Sequence, residues 1–268
     1  YFDLHNTQYG IRFGKDFSCP KCSKTDSFYR VKKRKSFACG WCGTQVNPTA
    51  GTIFEKSATK LTLWFFAIFL VAQSKNGVSG KELERHLGVT YKTAWRIAKQ
   101  VRQLMTQSPS MLSGTVEADE TYIGGRGKNN KRGRGAEHKT AVFGLVERKG
   151  DVKAQAVENA KRSTLMPLIR KNVVIGSNMM TDEFLAYNKV QEAGYNHEHI
   201  KHSAKEYARG LVHTNTIEGF WSQLKRSIDG TYHKVSPKYL QSYVDEFAFR
   251  YNHRSFPLHL FEVLMKRI

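Results

Sequence analysis

Two pairs of cysteines constrain this chain more than any other feature. Cys19 and Cys22 stand in Cys-Pro-Lys-Cys, Cys39 and Cys42 in Cys-Gly-Trp-Cys, with sixteen residues between the pairs. Thiolates at this spacing point to a tetrahedral structural Zn²⁺ site, each pair on a tight turn that aims two sulfurs at one ion; Pro20 and Gly40 suit such turns. Short strands are expected between them, at Phe28 to Val31 and Ser36 to Ala38. Some thirty residues cannot bury a core, so the ion would supply the folding energy of this zinc ribbon. The competing reading, two disulfides, needs an oxidising compartment. Tyr1 to His5 show no basic-then-apolar leader, and the most apolar run, Leu61 to Ala72, is about a dozen residues, where a bilayer span needs about 20. A reducing setting is therefore expected: cytoplasmic, bacterial and nucleoid-associated, with no membrane.

Charge narrows the partner. Lys and Arg number 43 against 23 Asp and Glu, a formal +20, which fits a polyanion, nucleic acid before an anionic membrane. At 268 residues and 40% hydrophobic the chain has room for one large domain and small modules, which excludes a disordered tail protein. Lys32, Lys33, Arg34 and Lys35 make the ribbon a plausible DNA contact or a solvated basic tip.

After Pro48 the pattern turns helical, first over Ser57 to Gln73. Ser79 with Glu82 three residues on forms a capping box, Gly88 ends that helix, and Thr90 caps the next. The second helix carries Lys92, Arg96, Lys99 and Arg102 opposite Ala94, Trp95 and Ile97. Two short helices about a Gly-containing turn, the second one basic, describe a helix-turn-helix; the bland reading is a helical hairpin with a solvated basic face.

From Gly114 strands take over. Thr115 to Ile123 alternates and carries Glu117, Asp119 and Glu120; Gly124 to Gly135 is a flexible basic loop; Ala141 to Arg148 and Val152 to Val157 are strands. Ser163 to Lys171 is a helix, Val173 to Asp182 a buried strand, and Phe184 to Ala193, Thr214 to Arg226 and Lys238 to Asn252 are helices. Together they describe a mixed α/β sheet flanked by helices. Asp182 ends a strand, where open sheets place their chemistry. Asn215, Glu218 and Lys225 share one helix face. Oxygen ligands converging from Asp119, Asp182 and Glu218 would suit Mg²⁺ or Mn²⁺, and two such ions about 4 Å apart can drive phosphodiester displacement. Glu117 and Glu120 read as strand-surface residues, Phe220 and Trp221 as core, and His197, His199, His202 and His213 as solvated or hydrogen-bonding.

Three motifs carry a resemblance that spans nearly the whole chain: Glu117-Ala118-Asp119-Glu120-Thr121-Tyr122-Ile123-Gly124-Gly125, Thr181-Asp182, and His213 through Arg226, with Tyr243 to Phe247 and Arg250-Tyr251-Asn252 beyond. The chain resembles insertion-sequence transposases of the DDE superfamily, the group with an N-terminal zinc ribbon. The resemblance implies a ribonuclease-H-like integrase fold at 111–268, behind a zinc ribbon at 1–50 and a helix-turn-helix region at 51–110. It implies an enzyme that cleaves double-stranded DNA at terminal repeats and transfers the strand into target DNA. It makes Asp119 and Asp182 the first two catalytic acids. The third is Glu218, favoured on charge, or Asn215, which some members of the group would use. Lys225 would hold a phosphate; Arg226, Lys92, Arg96, Lys99 and His213 complete the expected DNA contacts. Two transposon ends must be held together, so a homo-oligomer is expected. The rival readings are a DNA-binding regulator that no longer cuts and a nuclease that cuts without transfer.

Overall fold

In a computed structural model, residues 10, 13–14, 17–25, 27–31, 34, 36–124, 139–200, 209–210, 212–256 and 259–268 are described. The expectations for Lys32, Lys33, Lys35, His202 and the loop from 125 to 135 lie outside these residues. The chain forms two compact units, Tyr1–Leu104 with Phe256–Ile268, and Met105–Ser255.

The first unit opens with a three-stranded antiparallel sheet, β1 (Phe28–Val31), β2 (Ser36–Cys39) and β3 (Gln45–Val46), in that order. Three helices follow: α1 (Leu61–Gln73), α2 (Gly80–Leu87) and α3 (Tyr91–Gln103). α1 starts at Leu61, where its apolar pattern begins, and not at the expected Ser57, whose hydroxyl accepts the Trp64 indole N–H at 3.0 Å. The caps are those the sequence predicts: Ser79 Oγ accepts from Glu82 N, Thr90 Oγ1 accepts from Thr93 N, and Gly88 turns left-handed at φ +62°. Trp64, Ile68, Leu83, Ala94, Ile97 and Val101 form the buried interior of this helical set. The sequence reads everything after 111 as one domain, but Phe256–Ile268 group with the first unit. There α7 (Leu260–Met265) sets Phe261 edge-on to Phe69, and Arg267 donates to the Leu104 carbonyl at 2.9 Å.

The second unit is built on a five-stranded sheet of β4 (Thr115–Ile123), β5 (Thr140–Glu147), β6 (Val152–Val157), β7 (Asn178–Thr181) and β8 (Asn196–His199). Its order is β6-β5-β4-β7-β8; β4, β5 and β6 are antiparallel, while β7 and β8 run parallel to β4 and to each other. This is the ribonuclease-H-like arrangement. α4 (Arg162–Asn172) belongs to one face, α5 (Asn215–Ser227) and α6 (Pro237–Asn252) to the other. Strand alternation supplies both cores: Ala141, Phe143 and Leu145 meet Leu165, Met166 and Ile169, while Val142 and Val146 meet Ile217, Phe220 and Val244.

Two expectations change, and one strand was not foreseen. The helix at Phe184 to Ala193 is two single 3₁₀ turns, Leu185–Tyr187 and Gln191–Ala193. Ala186, Tyr187 and Val190 are buried in the core, with Phe184 and Ala193 packed against it, a pattern that suits an α-helix as well as 3₁₀ turns. The strand from Val173 to Asp182 is broken: Val173 bridges Leu112, Gly176 takes φ +86°, and pairing resumes at Asn178. β8, whose Asn-His-Glu-His sequence is largely exposed, carries no apolar pattern to announce it.

β6 is an edge strand, and side-chain amides take the place of a sixth strand. Asn252 accepts from Val152 N at 2.7 Å and donates to Val152 O at 3.0 Å. Gln107 does the same at Ala154, 2.9 and 2.6 Å. Gln241 accepts from Ala156 N at 2.7 Å and donates to Ala154 O at 3.2 Å. Asp245 Oδ1 fixes the flips by accepting from both glutamines. Filling the ladder removes a template for edge-to-edge association. Asn252→Asp keeps the size and the acceptor but sets an anionic oxygen against the Val152 carbonyl. It is expected to cost about 1–3 kcal/mol in urea unfolding at pH 7; an unchanged midpoint would show that the amide pairing contributes nothing.

Candidate active site

The four cysteines come together. Cys19 and Cys42 sulfurs lie 3.5 Å apart, Cys22 and Cys39 sulfurs 3.7 Å, and all four within 4.8 Å of one another. A tetrahedron with Zn–S bonds of about 2.3 Å has edges of about 3.8 Å, whereas a disulfide needs about 2.05 Å. The geometry fits a four-thiolate ion and not two disulfides. The two turns repeat one design: Ser23 N donates to Cys19 O and Gly43 N to Cys39 O, at 2.8 and 2.9 Å, with both residues left-handed at φ +56° and +69°.

The acids of β4 divide by strand alternation. Glu117 and Asp119 face α5; Glu120 faces the opposite core and accepts from the buried Tyr187 hydroxyl at 2.8 Å. β4 and β7 are parallel with Glu117 opposite Met180; β7 ends at Thr181, and Asp182 follows it close enough to Asp119 for its charge to act on that carboxyl. Asp182 is held by its own turn, its Oδ1 accepting from Phe184 N at 3.0 Å. Burial, then the negative charges of Glu120 and Asp182, push the Asp119 carboxyl up to about 7, against the Glu120 backbone N–H and the Trp221 indole N–H, which lower it. Trp221 Nε1 donates to Asp119 Oδ2 at 3.0 Å. Gly144, opposite Asp119 on β5, makes room: a Cβ there would fall 2.5 Å from Trp221 Cζ2 and 3.0 Å from Ile217 Cδ1.

α5 presents Ile217, Phe220, Trp221 and Leu224 inward and leaves Asn215, Glu218, Lys225 and Arg226 exposed. Glu218 accepts from the Thr214 hydroxyl at 2.8 Å and stands one turn before Trp221, on the adjoining face. Among the described residues, the cysteines are the set of three or more whose ligand atoms are close enough to share an ion; Asp119 and Asp182 are neighbours, and Glu218 does not close with them into such a set.

Other expected contacts separate. Lys92 is exposed, and Lys99 lies over the Trp95 ring. Arg96 turns inward, donating to Ser57 Oγ at 3.2 Å beside the Trp64 ring. His213 Nδ1 lies 3.2 Å from Glu117 Oε1, and His197 Nε2 pairs with the Thr181 hydroxyl at 2.9 Å. Glu117 and Glu120 are buried, not strand-surface residues; Glu117 is 0% exposed and binds Arg148 Nε at 2.7 Å. Sequence reasoning missed Glu117, Arg148, Gly144 and the Trp221 contact. One signal was available: Glu117 is two residues from Asp119, hence on the same strand face, and a face covered by a helix cannot leave it in water.

The Asp119 shift has a sign. The native carboxyl keeps its proton to about pH 7, whereas an unfolded Asp releases it near 4. The native state therefore binds more protons between those values, and stability falls as pH rises from about 4 to about 7. Without added divalent cation, Asp119→Asn, which still accepts from Trp221, is expected to melt several degrees above the wild type at pH 8 and to converge with it near pH 4. A wild type at least as stable as the variant at pH 8 contradicts the repulsion.

Residues 111–252 match the family of ISXO2-like transposase domains, and residues 5–45 match the transposase zinc-ribbon domain. A protein of Halobacterium salinarum, described as an uncharacterized protein in transposable element ISH50, is 29% identical over 260 residues, covering 90% of this chain and 87% of its own length. An uncharacterized transposase-like protein of Haemophilus influenzae is 29% identical over 96 residues, 36% of this chain and 76% of its own. Among solved structures, the Mos1 transposase paired-end complex with left transposon end aligns at 10% identity over 76% of this chain and 78% of that one, with a TM-score of 0.30. With its model matched over more than half of the residues, the chain belongs to the family of ISXO2-like transposase domains and carries a transposase zinc ribbon ahead of that domain.

Proposed function

We propose that this protein is an active DNA transposase, cutting at the ends of an insertion sequence and joining the freed 3′-hydroxyls to target DNA. The observation that carries this reading is the Asp119–Asp182 pair: one carboxylate on β4 and one just past the end of its parallel neighbour β7, the first pushed up to about 7 by burial and by its acidic neighbours. Crowded anions at a strand terminus need a cation, and Mg²⁺ is commonly held by one or two carboxylates plus waters and substrate phosphates. The donor set therefore fits Mg²⁺ or Mn²⁺ without a third ligand closed in advance. When bound, such an ion activates the attacking oxygen and stabilises the leaving one.

In this reading Asp119 and Asp182 are the metal ligands, and Glu218, with Asn215 one turn before it, reaches the site when DNA is present. Lys225 and Arg226 on the exposed side of α5 hold phosphates, the four-cysteine ribbon takes Zn²⁺, and Lys92 and Lys99 on α3 contact terminal-repeat DNA. Arg96 and His213 are engaged within the protein and serve the DNA indirectly. Water attacks the phosphodiester at the element's end, and the 3′-hydroxyl it leaves attacks the target in line at the same carboxylates. A homo-oligomer pairs the two ends.

Asp119→Ala and Asp182→Ala are expected to abolish Mg²⁺-dependent nicking and joining of end-containing DNA while binding it within about threefold of the wild type. Loss of a ligand exceeds the 10–100-fold typical of an outer-shell change, so Glu218→Gln should lose more than about 100-fold and Asn215→Ala less. Joining by either Asp variant sinks the assignment; a wild type that binds ends and never cuts them is the regulator instead. With a formal +20 charge binding is expected to be phosphate-dominated, weakening about a thousandfold or more between 50 and 200 mM salt. A flat salt dependence in a mobility-shift titration rules that out.

A further inference from the structure

We propose that Glu117 is a positioning residue: its buried carboxylate ties the first turn of α5 to the strand that carries Asp119, and so fixes where Asn215 and Glu218 stand relative to the Asp119–Asp182 pair. The proposal rests on the activity proposed above for its rate effects, though not for the tether itself.

A helix start leaves backbone N–H groups without partners, and a Ser or Thr at the cap ordinarily takes one. Thr214 occupies that position in α5 and makes no such bond; its hydroxyl goes to Glu218. The N–H groups of Thr216 and Ile217 are instead accepted by Glu117 Oε2, at 2.8 and 3.0 Å, from about a hundred residues upstream. The Thr216 hydroxyl adds a bond to Oε1 at 2.9 Å. Arg148 balances the charge and anchors it twice over: its Nε reaches Glu117 Oε1 at 2.7 Å, its Nη2 the His213 carbonyl at 2.9 Å, and its backbone N–H the Thr115 carbonyl of β4 at 2.9 Å.

The spacing makes this a ruler. From Glu117 to Asp119 a strand advances about 6.6–6.8 Å. From Thr216 or Ile217 to Trp221 a helix advances about 6–7.5 Å. Helix and strand therefore meet at two matched points, Glu117 on the first turn and Asp119 on Trp221, and Glu218 lies between them. A buried ion pair adds little stability over apolar packing of the same volume. What this one supplies is a fixed register of α5 along β4.

The test compares two double variants of the full chain, neither of which strands a buried charge. Glu117→Gln with Arg148→Met keeps an oxygen acceptor for the two N–H groups; Glu117→Ala with Arg148→Met removes it. Hydrogen exchange needs no activity: protection over residues 214–221 is expected to fall at least tenfold in the Ala/Met protein and to return in the Gln/Met protein. With an end-containing duplex, at a temperature where circular dichroism shows both variants folded, kcat should drop about 10–100-fold in Ala/Met. KM for DNA should stay within twofold, the Mg²⁺ needed for half-maximal rate should rise, and Gln/Met should recover most of the loss. Wild-type protection or rate in Ala/Met, or a Gln/Met protein no better than Ala/Met, overturns the proposal. A wild type that binds DNA without cutting it overturns the activity reading, and hydrogen exchange then decides the tether alone.

Discussion

The second unit depends on how it handles a row of acids on its central strand. β4 lies between β5 and β7, and Glu117 and Glu120 are buried with it while Asp119 is half-buried. Removing a carboxylate from water costs several kcal/mol unless partners replace the solvent. Glu117 is given Arg148 and two helix N–H groups; Glu120 is given the Tyr187 hydroxyl. Asp119 receives the Trp221 indole and its neighbour's backbone N–H, while Glu120 and Asp182 repel it. Two of the three acids serve architecture, and the remaining charge imbalance collects at one carboxyl beside a strand terminus.

The two halves of the first unit reach stability by different means. Among the described residues the ribbon buries β2 and Cys19 but little else, and four thiols at tetrahedral spacing suit an ion that holds them. The helical part is held by caps at Ser79 and Thr90, an interior from Trp64 to Val101, and the C-terminal segment packed against it. The sequence announced both, because metal spacing and capping are local codes written within a few residues.

What was legible followed the same rule. Caps, cysteine spacing, alternating strands and the fold order all come from short-range pattern. The 3₁₀ turns after Asp182 were hidden because their apolar residues suit a helix of either pitch. β8 was hidden because a polar edge strand is defined by its neighbour β7 and not by its own residues. Arg148 and the partners of Glu117 were hidden because they act across 31 to 100 residues; for Glu117 itself strand alternation gave only the face, not the partners.

The same imbalance weighs on what the protein does. A fold that only bound DNA through its ribbon, helices and surface lysines would gain nothing from an acid at position 119. Asn there would accept the Trp221 N–H equally well and remove the repulsion from Glu120 and Asp182, so on stability alone the amide is the better residue. Gly144 and Trp221 are arranged around this carboxyl, and Glu117 fixes the helix that brings Trp221 to it. A charge imbalance of this kind, maintained by several distant elements at one point, is the feature on which the proposed metal-dependent activity rests. That is the physical ground for preferring an enzyme over a binding protein built on the same scaffold.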